Sequence, residues 1–186
     1  MAKVFVLYTG GTFGGMQTEA GVAPARVDQI LPLLPAVQAR VHVEGFGRII
    51  DSSSIQPSDW VEMAQIIGAR YDDYDGFVII HGTDSMAYTS SALSQLIQGL
   101  QKPVVLTGSQ VPLSFADNDA AQNYQDAVAF ATSDKAGVWV VFGGVEVPGA
   151  QAVKVSCERL RAFDSPKGKQ EPEPDQRPFQ VQSTIE

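Results

Sequence analysis

The sequence is poor in nearly every residue type that metal, redox or polyanion chemistry requires. A single cysteine, Cys157, among 186 residues excludes an internal disulfide and any multi-cysteine zinc site. Two histidines, His42 and His81, exclude a histidine-rich metal cluster. Thirteen basic residues stand against 21 acidic ones, a net charge of −8. The chain therefore lacks the positive surface that nucleic acid or an anionic membrane demands of a partner. Long hydrophobic runs are also missing. The stretch Val4 to Tyr8 ends in a glycine turn and is too short for a signal peptide or a membrane span. These absences together predict a soluble intracellular protein without a multi-cysteine or histidine-rich metal site.

What remains is ample for one core, since 44% of the residues are hydrophobic. Short apolar runs at Val4 to Thr9, Gly76 to Ile80, Pro103 to Thr107 and Gly137 to Phe142 read as parallel strands buried on both faces. Arg40 to Ile50 is a more alternating strand. Helical patterns fall between them at Val27 to Leu34, Pro57 to Tyr74, Ser85 to Leu100 and Asp119 to Thr132. The alternation predicts an α/β fold, a flavodoxin/Rossmann-like parallel sheet flanked by helices. Beyond Phe142, Val145 to Val147 and Ala152 to Val155 flank Pro148-Gly149, which reads as a β-hairpin near the C-terminus. Residues 1–165 form the expected domain. Residues 166–186 have the composition of a polar, proline-rich tail, with Phe179, Val181 and Ile185 as its only anchors.

Two threonine-bearing glycine turns follow the first and third strands: Thr9-Gly10-Gly11-Thr12 and His81-Gly82-Thr83-Asp84-Ser85. In open parallel sheets the ligand lies beyond the carboxyl ends of the strands. These turns therefore deliver hydroxyls, a carboxylate and close backbone to the edge where nucleophilic chemistry belongs. Taken singly, each has a plainer reading. A glycine turn after a strand is commonplace, Asp84 or Ser85 suits a helix cap, and Lys154 suits a hairpin surface. His81 reads as a structural hydrogen-bonding residue, Cys157 as a small apolar filler, and Tyr71 to Asp75 as a solvated helix end. Taken jointly, the motifs favour a site.

The order of these motifs resembles the bacterial-type L-asparaginase family. Thr9-Gly10-Gly11-Thr12 is followed by Gly82-Thr83-Asp84, and the stretch Tyr71 to Thr89 is especially similar to the cytoplasmic, type I branch. Asp51-Ser52-Ser53 and Thr107-Gly108-Ser109-Gln110-Val111-Pro112 extend the likeness. The resemblance implies hydrolysis of the asparagine side-chain amide through a threonine acyl-enzyme, without a cofactor. By position it assigns Thr12, Thr83, Asp84 and Lys154 to catalysis, and Gly11, Ser52, Ser53, Gly82 and Ser109 to substrate binding. Either threonine can be the one that attacks. It also implies L-asparagine as partner and a homo-oligomer, a dimer or tetramer.

Four departures qualify this picture. Gly21-Val22-Ala23-Pro24 stands where the family carries a lid tyrosine, and Tyr88 or Tyr124 are the first candidates to replace it. The lysine hairpin reads Gly149-Ala150-Gln151, and Asp119-Ala120-Ala121-Gln122-Asn123 replaces Asp-Gly-x-x-Asn. No counterpart of the second domain of full-length members is visible, so the chain resembles the short, single-domain branch. Two rival readings stay open: a glutaminase or other amidohydrolase of the superfamily, and a non-catalytic binding module.

Overall fold

The protein is described from a computed structural model covering residues 1–184, so the expected anchor Ile185 lies outside the described residues. In chain order the strands are β1 (Lys3–Gly10), β2 (Gly15–Thr18), β3 (Gly21–Pro24), β4 (Arg40–Ile50), β5 (Gly76–Ile80) and β6 (Ile97–Gln98). They continue as β7 (Pro103–Thr107), β8 (Gly137–Phe142), β9 (Val145–Pro148), β10 (Val153–Lys154), β11 (Phe163–Asp164) and β12 (Gln180–Val181). The α-helices are α1 (Val27–Ile30), α2 (Pro57–Ala69), α3 (Met86–Leu96) and α4 (Ala120–Ala131).

One six-stranded sheet in the order β4-β1-β5-β7-β8-β9 organises the chain, parallel throughout except for β9. The apolar runs are continuous because successive residues feed opposite cores. Phe5, Leu7, Phe77, Ile79, Val104 and Leu106 face α2 and α3, meeting Met63, Ile67, Leu93 and Leu96. Val4, Val6, Val78, Ile80 and Val105 face α1 and α4, meeting Ile30, Tyr124, Ala127 and Val128. Both layers exclude water, which is the main source of stability for such a sheet.

The parallel strands follow the flavodoxin-like order, with its switch point between β1 and β5. One feature departs from the usual rules. The β5–β7 and β7–β8 connections step across the sheet in the same direction, yet α3 and α4 lie on opposite faces. The two crossovers therefore have opposite hands, and one breaks the near-universal right-handed preference.

The C-terminal hairpin is not where the sequence predicts it. Gly143 and Gly144, at φ 58° and 74°, make the turn, and β9 folds back antiparallel on β8. Two consecutive left-handed residues suit a tight hairpin, and glycine adopts them without strain. Residues Gly149–Gln151 form a 3-10 turn instead, while β10 pairs with β11. The helix expected to reach Tyr74 stops at Ala69, and Tyr71 turns inward against Phe77 with ring centroids 6.0 Å apart. The helix expected to reach Leu100 stops at Leu96, because Ile97 and Gln98 pair with β12.

That pairing gives the proline-rich tail a structural role. Phe179 stacks on Tyr71 with centroids 3.7 Å apart, and the Asp175 carboxylate accepts the Gly99 N–H at 2.8 Å. The side chain of Val181 fills the space left open at Gly68. Phe179→Ala should therefore lower stability by about 2 kcal/mol through lost aromatic packing. Urea denaturation checks this, and an unchanged midpoint would show that the returning tail adds nothing to the fold.

Candidate functional site

The loops after β1 and β5 meet at the switch point, and glycine makes the approach possible. Gly11 has φ 78°, and a Cβ there would lie 2.5 Å from the Cα of Gly82. A Cβ on Gly82 would lie 2.4 Å from Ser52 Oγ. Three chain segments thus touch at a place with no room for side chains at either glycine. Ser52 begins a 3-10 turn whose cap is Asp51, with the Ser53 N–H and Oγ donating to Asp51 Oδ1 at 3.0 and 2.8 Å. Two further bonds tie this turn to the start of α3. The Asp84 N–H donates to Ser52 Oγ at 3.2 Å, and Ser85 Oγ donates to the Ser52 carbonyl at 2.6 Å.

Lys154 reaches this junction from β10. Its Nζ donates to Thr83 Oγ1 at 2.8 Å and to Asp84 Oδ1 at 2.7 Å. The lysine side chain is 15% exposed, whereas Asp84 is 61% exposed at the mouth. Because the ammonium only donates, the Thr83 oxygen accepts, which leaves its own proton to be donated elsewhere. Lysine, threonine and aspartate thus form one connected relay of the kind that activates a hydroxyl.

A buried chain of hydrogen bonds fixes the loop from beneath. His81 Nδ1 faces the Gly82 carbonyl at 2.7 Å, so this nitrogen carries the proton. Trp60 Nε1 donates to Thr89 Oγ1 at 2.9 Å, and Thr89 in turn donates to His81 Nε2 at 3.0 Å. One tautomer satisfies all three contacts. Burial holds the imidazole neutral and pushes its pKa down to about 4, against the weaker opposing effect of the Gly82 carbonyl. His81 is a structural residue, as its sequence context predicts. A second support lies under the neighbouring loop. Buried Asp119 accepts the Gln110 and Val111 N–H groups, and Asn123 bridges the Gly108 carbonyl to the Gly143 N–H.

The loops enclose an open cavity of about 610 Å³. Of the residues singled out from sequence, Gly11, Thr12, Ser52, Gly82, Thr83, Asp84 and Lys154 line it. Ser53 and Ser109 are not among its lining. Ser53 turns to its cap, and Ser109 Oγ is buried with no hydrogen-bond partner among the described residues. The hairpin β2–β3 forms one wall, with Val22 lining the cavity and 56% exposed. Tyr8 underpins this wall by donating to the Ala25 carbonyl at 2.8 Å. Tyr124 sits in the core, where burial pushes its pKa up to about 12, and is no candidate for a lid.

Asp51 and Gln110, which the family-like motifs contain without a role for either, also line the cavity, and so does Cys157. Cys157 is exposed and is not an apolar filler, because the turn after β10 carries it to the cavity wall. Its spacing of three from Lys154 is the signal that places it there. Among the described residues no cluster of histidine, cysteine or carboxylate side chains has the grouping of a metal site.

The family model for the asparaginase N-terminal region matches residues 3–181. The chain belongs to the asparaginase family. It is 40% identical over 171 residues to L-asparaginase of Thermococcus kodakarensis and 38% identical over 171 residues to L-asparaginase 1 of Escherichia coli K12. Each alignment covers 88% of this chain and 51% of the relative, so the chain spans about half the length of those relatives. The solved structure of the thermostable Thermococcus kodakarensis L-asparaginase superposes with a TM-score of 0.87 at 34% identity, over 97% of this chain and 60% of that one. No described helix of this family member is long and apolar enough to cross a membrane.

The buried histidine makes a pH prediction. The unfolded chain takes up a proton on His81 as pH falls through 6.5, whereas the folded chain resists until about 4. Stability from this group is therefore complete above pH 6.5 and lost between 6.5 and 4, by about 3 kcal/mol in full. Proton NMR should show the His81 ring signal in its neutral position at pH 5. A midpoint near 6.5 would contradict the buried geometry.

Proposed function

We propose that this chain is the catalytic domain of an L-asparaginase. The observation that carries the reading is Lys154 held between Thr83 Oγ1 and Asp84 Oδ1, in the cavity that Thr12 also lines. Thr12 Oγ attacks the side-chain amide carbon of asparagine, and the Thr83 relay takes part in moving the hydroxyl proton toward the leaving nitrogen. The C–N bond breaks, ammonia departs, and an aspartyl ester remains on the threonine. Water then cleaves the ester, restores the hydroxyl and releases aspartate. Backbone N–H groups near Gly11 and Gly82 supply donors for the oxyanion. Ser52 receives the substrate carboxylate and Asp84 attracts its ammonium. Membership of the asparaginase family supports this reading, and so does the position of both threonines at the switch point of the sheet. The chemistry calls for no cofactor, and the family likeness supports a homo-oligomer working in the cytoplasm.

A second reading, a pocket that binds aspartate or asparagine without turnover, is favoured by one observation. Val22 stands at the lid wall and brings no hydroxyl toward Thr12. Closure of a lid excludes water and completes a site. With a valine there, asparagine should half-saturate the enzyme near the millimolar end of the usual range of about 1 μM to 1 mM. Val22→Tyr should lower that concentration or raise the rate, and a micromolar value in the parent would show that another residue serves as lid.

Ammonia release from purified protein decides between the readings. L-asparagine should be hydrolysed faster than L-glutamine. Equal or faster glutamine turnover would point to a glutaminase, and no turnover from folded protein would point to the binding module. Thr12→Ala and Thr83→Val should each reduce the rate by at least about 100-fold, since they remove groups used along the reaction path. Near-parental turnover in either variant would remove that threonine from the mechanism.

A further inference from the structure

Beside the β2–β3 hairpin, Lys154 of β10 and Cys157 of the turn between β10 and β11 also line the cavity. The Val155 and Ser156 N–H groups both donate to the Ala162 carbonyl, at 2.8 and 3.3 Å, closing the base of this loop. Ser156 Oγ accepts the Glu158 and Arg159 N–H groups at 3.2 and 3.0 Å, so the loop has a defined internal shape. Its apex, from Cys157 to Arg161, is exposed. That apex touches the rest of the molecule at Gly143 and at Gln110. Leu160 packs against Gly143, where a Cβ would lie 2.3 Å from the Leu160 carbonyl oxygen. Gln110 Nε2 donates to the Arg159 carbonyl at 3.2 Å.

Gln110 is well placed to act as a fastening. Its backbone is immobile, because the Gln110 N–H donates to both oxygens of the buried Asp119 carboxylate at 3.1 and 3.0 Å. Its side chain lines the cavity and spans to the loop. The loop begins just after Lys154 and carries Cys157 to the cavity wall. We infer that Gln110 is a positioning residue that latches the Ser156–Arg161 loop over the cavity, and so sets how firmly the site retains its substrate. One neutral hydrogen bond at an accessible position shifts a closed–open equilibrium by about two- to tenfold. The latch is therefore weak enough to open on each cycle and strong enough to alter affinity. Lys154 stays anchored by its own contacts and by the β10–β11 pairing, so the chemical step is largely insulated from the latch.

The consequence for KM rests on the asparaginase reading, but the latch itself does not. Gln110 holds the carbonyl of Arg159, the acyl group of a bond that trypsin cuts, so the rate of limited trypsin cleavage between Arg159 and Leu160 reports the latch directly, with or without turnover. Gln110→Ala removes the donor. Gln110→Glu keeps the size of the side chain but presents only acceptors to the Arg159 carbonyl. Both variants, folded by circular dichroism, should be cut at this bond two- to tenfold faster than the parent. Both should also raise KM for L-asparagine by a similar factor, with kcat within twofold. Parental cleavage rates in both variants would overturn the latch. Faster cleavage with unchanged KM would overturn its role in substrate retention. A change with Gln110→Ala alone would show packing rather than the hydrogen bond at work, and would also overturn the proposal. If the parent shows no turnover, the functional reading fails while cleavage still decides whether the latch exists.

Discussion

The contact on which the site depends is the bridge from Lys154 Nζ to Thr83 Oγ1 and Asp84 Oδ1. It joins two parts of the chain 71 and 70 residues apart, one on the loop after β5 and one on a two-stranded ribbon outside the main sheet. Everything beneath the loop serves to hold its half of this contact still. His81 and Thr89 pin the Gly82 carbonyl, Ser52 receives the Asp84 N–H, and the close passage of Gly11 past Gly82 leaves no slack. In the proposed mechanism an acceptor that does not move is what a hydroxyl–ammonium relay requires, since no reorganisation is needed when charge develops.

The sheet supplies the setting. Because β1 lies between β4 and β5, the chain leaves β1 in one direction and returns to β5 in the other. A crevice opens between their carboxyl ends, and the two threonine turns occupy it. The α4 crossover, on the face opposite α3, brings Asp119 and Asn123 under the Gly108–Val111 loop. The unusual hand of one crossover thus coincides with direct support for a wall of the cavity.

Much of this was legible in the sequence for a physical reason. Residues in doubly covered strands must be apolar at every position, so Phe77 to Ile80 and Pro103 to Thr107 announce themselves. Glycine-rich turns directly after such strands mark the crevice, which is why Thr12, Gly82 and Thr83 could be named. The hairpin near the C-terminus was misplaced because Pro148-Gly149 is a strong local turn signal, while Gly143-Gly144 was the turn that long-range pairing used. Likewise, Ile97 and Gln98 carry helical spacing yet pair with a tail segment more than eighty residues away. Gln110 sits in a family-like motif that gives it no role, and Cys157 has only its spacing of three from Lys154. Their place at the cavity follows from a loop that only the folded ribbon defines.

The central claim is that a threonine of this cavity carries the acyl group. Acid-quenching the protein during turnover of L-asparagine, followed by peptide mass spectrometry, tests it most directly. The account predicts an aspartyl ester on the peptide that contains Thr12, absent from Thr12→Ala and accumulating when the second, water-dependent step is slow. An adduct confined to the Cys157 peptide, or ammonia release that survives in Thr12→Ala, would contradict it.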